Sequence, residues 1–335
     1  MKRIVECVPN FSEGRDRKVI DRIVASISDV EGVTVLHVDA GEAANRTVVT
    51  FMGEAEAVCE AAFRAVRTAG ELIDMRHQHG EHPRIGATDV LPLVPLSDIT
   101  LEECAALART LAERIYKELG IPCYCYEAAA LRPEMRNLAV CRAGEYESLP
   151  EKMEDPLRRP DFGPRHFDER TARTGATVVG ARNFLIAVNF NLAKSTSQRV
   201  NGSTDQRDDE STSQRLLAQE IACDVREKGC KVNGQWVRGT LKGCKAIGWF
   251  IEEYGIAQVS MNITDIHATP LHKAYEEVCR AAAARGAKVT GTEIIGLVPR
   301  SVLEEAERYF GRNAVEAMHL DDLRPFDMEK KTIPL

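Results

Sequence analysis

Three histidines, one glutamate, one arginine and one aspartate fall within thirteen residues of this chain, in the stretch His77-Gln-His-Gly-Glu-His-Pro-Arg-Ile-Gly-Ala-Thr-Asp89. Its two glycines and one proline exclude a regular helix. Histidine titrates near neutral pH, and a neighbouring carboxylate decides which ring nitrogen carries the proton. Such a stretch handles either protons or a metal. His77-x-His79 followed by His82 has the ligand spacing of some zinc sites, but it lacks the helical HExxH arrangement. General acid–base chemistry is the stronger reading, with Glu81, Asp89 or Asp39 as the orienting carboxylate. The structural alternative, histidines that only hydrogen-bond a loop together, suits any one ring better than all three.

Other candidates carry less. Cys7 ends a first strand without a visible partner base. The two glycines of Gly175-Ala-Thr-Val-Val-Gly180-Ala-Arg182 lack the spacing of a dinucleotide loop.

The elements that must hold the histidine stretch read as alternating strands and helices. Val19, Ile20, Ile23, Val24 and Ile27 recur at helical spacing within 16–28. Strands are expected at 33–38 and 47–51, an Ala-rich helix at 54–72 and a strand at 90–94. Thr100 with Glu103 forms a capping box for a helix to about Leu119, and a short strand follows at 122–126. The proline-rich, charged tract 145–165 reads as a crossing linker with no core of its own. Residues 181–192 read as one long strand, with Phe184, Ile186, Val188, Phe190 and Leu192 on one face and Asn183, Asn189 and Asn191 on the other. The almost apolar-free tract 194–214 reads as a mobile surface loop, leading to a helix at about 213–228. Strands at 244–251 and 256–264, a helix at 270–285, a strand at 289–298 and a terminal helix complete the order. Strand 256–264 alternates Ala257, Val259, Met261 and Ile263 with Gln258, Ser260 and Asn262. That polar stripe is either a solvent-facing sheet surface or a cleft wall. The fold class expected is α/β (α+β): two ferredoxin-like βαββαβ subdomains, 1–178 and 179–335, with sheets facing a central substrate cleft.

Bulk properties exclude other classes. A net charge of −7 argues against a nucleic-acid binder. No run of 18 apolar residues predicts a membrane span, and the N-terminus has no signal core. The ten cysteines show no paired CxxC spacing, so free thiols in a reducing cytoplasm are expected.

Several stretches together resemble the formiminotransferase domain of the folate-dependent formiminotransferase family. They are Val5-Glu-Cys-Val-Pro-Asn-Phe-Ser-Glu-Gly14, Val38-Asp-Ala-Gly41 with Asn45-Arg-Thr47, His79-Gly-Glu-His-Pro-Arg84, Arg142-Ala-Gly-Glu-Tyr-Glu147, Leu149-Pro-Glu-Lys152, Pro160-Asp-Phe-Gly-Pro164, Gly175-Ala-Thr177 with Gly180-Ala-Arg182, and Ala257-Gln-Val-Ser260. They run in order over nearly the whole chain, with no counterpart of the cyclodeaminase domain found in the bifunctional animal enzyme. A stand-alone transferase is therefore expected.

The resemblance implies glutamate formimidoyltransferase activity: transfer of a formimino group from N-formimino-L-glutamate to tetrahydrofolate in histidine degradation. It places the catalytic histidine at His82 and starts the folate segment at Gly163, with Pro164 and Phe167, running to Gly175. Residues 165–174 depart from the family pattern. Asp39 and Glu81 suit the electrostatic partner of a cationic amidine or imidazolium. Arg46, Arg84 and Arg182, with Asn10 and Asn45, suit the substrate carboxylates. Asn189 and Gln258 suit the pterin's donor and acceptor edge. The implied protein is a cytoplasmic homodimer with tetrahydrofolate as co-substrate and no required metal. The alternatives are a glycine formimidoyltransferase and a metal-dependent amidine hydrolase built on His77, His79 and His82.

Overall fold

The computed structural model describes residues 2–194 and 207–333, and the chain separates into two compact units, Met1–Asn183 and Phe184–Leu335. In the first unit β1 (Ile4–Cys7) runs on into β2 (Asn10–Phe11). After these come α1 (Arg17–Ser28), β3 (Val33–Gly41), β4 (Arg46–Glu54), α2 (Ala55–Leu72), β5 (Thr88–Ser97), α3 (Leu101–Leu119) and β6 (Cys123–Glu127). Short helices α4 (Leu138–Cys141), α5 (Leu149–Glu154) and α6 (Glu169–Thr174) lead to β7 (Thr177–Ala181). The β1/β2 ribbon lies between β4 and β5, antiparallel to both, and β3 pairs with β4. That is the antiparallel order of a ferredoxin-like βαββαβ unit. The sheet continues past it, because β7 pairs in parallel with both β5 and β6.

Local chemistry fixes these elements. Asp16 caps α1 by accepting from the Lys18 and Val19 amides, and Thr100 with Glu103 forms the expected capping box of α3. Gly120, at φ 68°, ends α3 in the left-handed turn that glycine adopts without strain. One face of the sheet, through Val5, Cys7, Val49, Phe51, Leu91, Leu93, Cys125 and Val179, packs on the apolar stripes of α1, α2 and α3. On the other face Val90, Tyr124, Tyr126 and Val178 pack with Met135, Cys141 and Leu149. The tract expected to be a linker without a core thus supplies part of one: Leu149 and Met153 of α5 are buried.

The second unit holds β8 (Ile186–Lys194), α7 (Arg207–Val225), a hairpin of β9 (Cys230–Val232) and β10 (Gln235–Val237), then β11 (Cys244–Ile251), β12 (Ile256–Ile263), α8 (Leu271–Ala284) and β13 (Ala287–Ile295). Its four-stranded sheet has the antiparallel order β11-β12-β8-β13, again ferredoxin-like. Short β14 (Val298–Pro299) and β15 (Thr332–Ile333) pair in parallel. Between them lie α9 (Arg300–Phe310), α10 (Ala314–Ala317) and α11 (Met328–Lys331).

Four expectations need correction. The single strand read at 181–192 is two strands, because β7 ends at Ala181 in one sheet and β8 begins at Ile186 in another. A boundary after residue 178 would cut through β7; the units divide after Asn183. Of the tract 194–214, residues 207–214 are the first turns of α7; residues 195–206 lie outside the described residues. Finally, Cys223 and Cys230 are disulfide-bonded, while the other eight cysteines are free. No helix among the described residues is long and apolar enough to cross a membrane.

Candidate active site

The histidine stretch follows a short 3-10 turn, Met75–His77, and runs across the sheet ends to β5. Backbone contacts seat it: the Glu81 amide donates to Ala43 O (3.3 Å), the Tyr146 amide to Arg84 O (3.0 Å) and Ser12 Oγ to Gly86 O (2.8 Å). Asn45, at φ 45°, clasps three segments. Its Oδ1 accepts from the Gly14 amide (3.0 Å), and its Nδ2 donates to His79 O (2.9 Å) and to Gln78 Oε1. Gln78 in turn donates to Glu13 Oε2 (3.0 Å). Gly80 is required here, since a Cβ would stand 2.3 Å from Ala44 O.

At the centre is Asp89, fully buried. Its Oδ2 lies 2.7 Å from Nη1 of both Arg46 and Arg142, and its Oδ1 accepts from the Ile85 amide at 2.8 Å. Burial alone would raise this carboxyl, but Arg142 and Arg46 outweigh it and hold it at about 2. Arg46 also donates from Nε to Asn10 Oδ1 at 3.0 Å. Arg142 reaches Pro83 O at 3.3 Å, and the same oxygen is 2.8 Å from His82 Nδ1. A carbonyl can only accept, so Nδ1 carries the proton and Nε2 is the basic nitrogen of the neutral ring. Burial, then Arg46 and Arg142, push His82 down to about 3, against the opposing pull of Asp89. The ring is therefore a neutral, correctly tautomerised proton acceptor.

The other expected residues fall in separate places. Asp39 lies on β3 with its Oδ2 3.8 Å from His37 Nε2, and Glu81 is exposed; neither is among the charges that set His82. The sequence reading named Asp89 as one of three candidate carboxylates and gave Arg142 no role. Arg84 is buried, but Glu147 takes its fork at 2.6 and 2.9 Å and Glu145 adds a contact at 3.2 Å. Beside it a cavity of about 360 Å³ is lined by His79, Gly80, Arg84, Gly144, Glu145 and Glu147. Arg182 lies just past the end of β7, its amide donating to Leu93 O at 3.1 Å. His77 and His79 are exposed. Among the described residues no group of three or more His, Cys, Asp or Glu side chains is placed to hold a metal ion.

Gly175, at φ 64°, packs against Ile85 O, which a Cβ would approach to 2.3 Å; its position is needed by the backbone itself. Gly163 and Pro164 follow Phe162, whose backbone exchanges hydrogen bonds with Cys123 at 2.7 and 3.0 Å. Phe167 meets Tyr146 edge-on at 6.4 Å. In the second unit Asn189 donates to Glu293 (3.3 Å), and a chain of bonds runs Trp249 to Gln258 (2.9 Å), Gln258 to Asn191 (2.7 Å) and Asn191 to Asp322 (3.1 Å). Gln258 and Asn191 are buried while Asn262 is exposed. The polar stripe is thus a satisfied buried network at one end and solvated at the other.

Two family models match the chain: "Formiminotransferase domain, N-terminal subdomain" over residues 4–182 and "Formiminotransferase domain" over residues 210–334. The chain is 44% identical over 347 residues to the formimidoyltransferase-cyclodeaminase of Gallus gallus, covering 99% of this chain and 60% of that protein. It is 42% identical over 310 residues to the glutamate formimidoyltransferase of Streptococcus pyogenes serotype M1, covering 92% of this chain and 94% of the relative. It is 39% identical over 309 residues to that of Thermoplasma acidophilum, with 92% of each chain covered. With both units matched in order, the chain belongs to the formiminotransferase family.

Proposed function

We propose that this chain transfers the formimino group of N-formimino-L-glutamate to nitrogen 5 of tetrahydrofolate, giving 5-formiminotetrahydrofolate and L-glutamate. The carrying observation is the state of His82, a neutral ring whose Nδ1 proton is committed to Pro83 O. The pterin amine attacks the amidine carbon; Nε2 takes the proton that the attacking nitrogen sheds and returns it to the departing amine. Burial, with the paired guanidiniums adding to it, makes His82 a weak base. Both substrates carry carboxylates, and a negative charge arriving near Arg46 and Arg142 would raise the ring toward the useful range. Asp39 and Glu81 remain candidates for the amidinium, Asn10, Asn45, Arg84 and Arg182 for the carboxylates, and Gly163, Pro164, Phe167, Asn189 and Gln258 for the folate. A cytoplasmic homodimer working in histidine degradation belongs to the same reading; the relatives' names support the transferase activity alone.

A transfer assay with tetrahydrofolate and either formiminoglutamate or formiminoglycine tests it. Turnover only with formiminoglycine would move the assignment to the glycine enzyme. Release of ammonia without tetrahydrofolate, abolished by a chelator, would replace it with the hydrolase.

A further inference from the structure

The β1–β4–β3 part of the first sheet carries polar side chains on the face opposite α1, α2 and α3. Val5 and Cys7 belong to the helix-covered core, so strand alternation places Glu6 on the other face. Glu6 pairs with Met52 of β4 and Val94 of β5. On the same face, beyond β4, His37 pairs with Thr50 and Asp39 with Val48. Glu6 is 2% exposed, yet its Oε2 has no hydrogen-bond partner among the described residues, and neither has His37 Nε2.

A buried carboxyl oxygen with nothing to accept is costly, and such atoms in a native fold call for a specific explanation. The ion triad around Asp89 shows how this protein satisfies a buried carboxylate that serves the fold: two guanidiniums and an amide. Glu6 has no such set. Burial pushes its carboxyl up to about 7, with Arg182 as the offsetting charge.

Resting on the transferase reading, we propose that Glu6 is a substrate-binding residue whose Oε2 accepts an N–H from a planar N–C–N edge of a bound substrate. Both substrates present such an edge: the 2-amino-4-oxopyrimidine ring of tetrahydrofolate and the formimino group of the donor. A carboxylate is the natural acceptor for either. Which of the two it takes is read by separate arms of one experiment.

Wild-type protein and Glu6→Gln are titrated calorimetrically with tetrahydrofolate and, separately, with formiminoglutamate, at pH 7 in two buffers of different ionisation enthalpy. The amide keeps the shape and removes the charge, so the partnered ligand should bind about 10- to 100-fold more weakly. Loss confined to tetrahydrofolate assigns the pyrimidine edge, and loss confined to formiminoglutamate assigns the formimino group. In the wild type the partnered ligand should release up to about half a proton, because a carboxyl titrating near 7 is drawn into its ionised form. That arm stands even if Glu6→Gln fails to fold. Unchanged affinity for both ligands in a folded variant, or no proton release with either ligand in the wild type, overturns the assignment. Failure of the wild type to bind either ligand would instead count against the transferase reading.

Discussion

Replacing Asp89 by asparagine tests the centre of the site most directly. The carboxylate is fully buried and 2.7 Å from two guanidinium nitrogens. An amide of the same shape can still accept from the Ile85 amide, but it leaves Arg46 and Arg142 without a counter-charge. Breaking a buried pair from one side costs about 3–5 kcal/mol. For a unit of this size that lowers the melting temperature by about 6–20 °C. The pH dependence gives a second magnitude. The folded-state value of about 2 lies below the ordinary 3.8, so the group stabilises the fold above about pH 4 and loses that contribution as pH falls through 2. The gap corresponds to about 2–3 kcal/mol. Calorimetric melts of wild type and variant between pH 2 and 7 should therefore converge at the acidic end. His82 also loses the one carboxylate that lifts it, so the catalytic constant should fall at least tenfold. A variant that melts within 2 °C of wild type at pH 7 and turns over normally would refute both the triad's energetics and its link to His82.

Three further outcomes follow from the same geometry. His82→Ala should lower the catalytic constant by about 10²–10⁴-fold while folate affinity changes far less, whereas His77→Ala and His79→Ala, on exposed rings, should stay within about threefold; single-turnover and titration measurements separate the two effects. Arg142→Gln removes one of the charges holding His82 at about 3, so an NMR titration of that ring should show its midpoint rise. Gly80→Ala brings a Cβ to 2.3 Å of Ala44 O, so it should disturb the histidine loop and reduce turnover with little change in the melting of the sheet.

The sequence showed the ferredoxin-like order and the histidine loop because both are local signals: helical apolar stripes, a capping box, and glycines and prolines around His82. It did not show what sets His82. The triad joins Arg46, Asp89 and Arg142, residues far apart in the chain that only the sheet and the α4 segment bring together. Arg84 read as a substrate clamp because nothing local reveals that Glu147 takes its fork. The break between β7 and β8 was hidden because Phe184 extends the even-numbered apolar face of β8 back into the gap, and residues 182–185 hold no glycine or proline. Residues 207–214 read as loop because their polar composition conceals a helix start.

The position of β7 has a consequence for biosynthesis. It is the last strand of the first unit to be made, yet it sits in the interior of the sheet, joining β5 to β6. Until it emerges, β6 has no strand to pair with, and its backbone edge waits while residues 128–176 are added. At ordinary elongation rates that interval is about 2–10 s, long compared with the microseconds of hairpin formation. The nascent chain therefore exposes an unpaired, cysteine- and tyrosine-rich strand through a window in which a ribosome-associated chaperone would find it. Any fragment ending before Thr177 carries that exposed edge permanently.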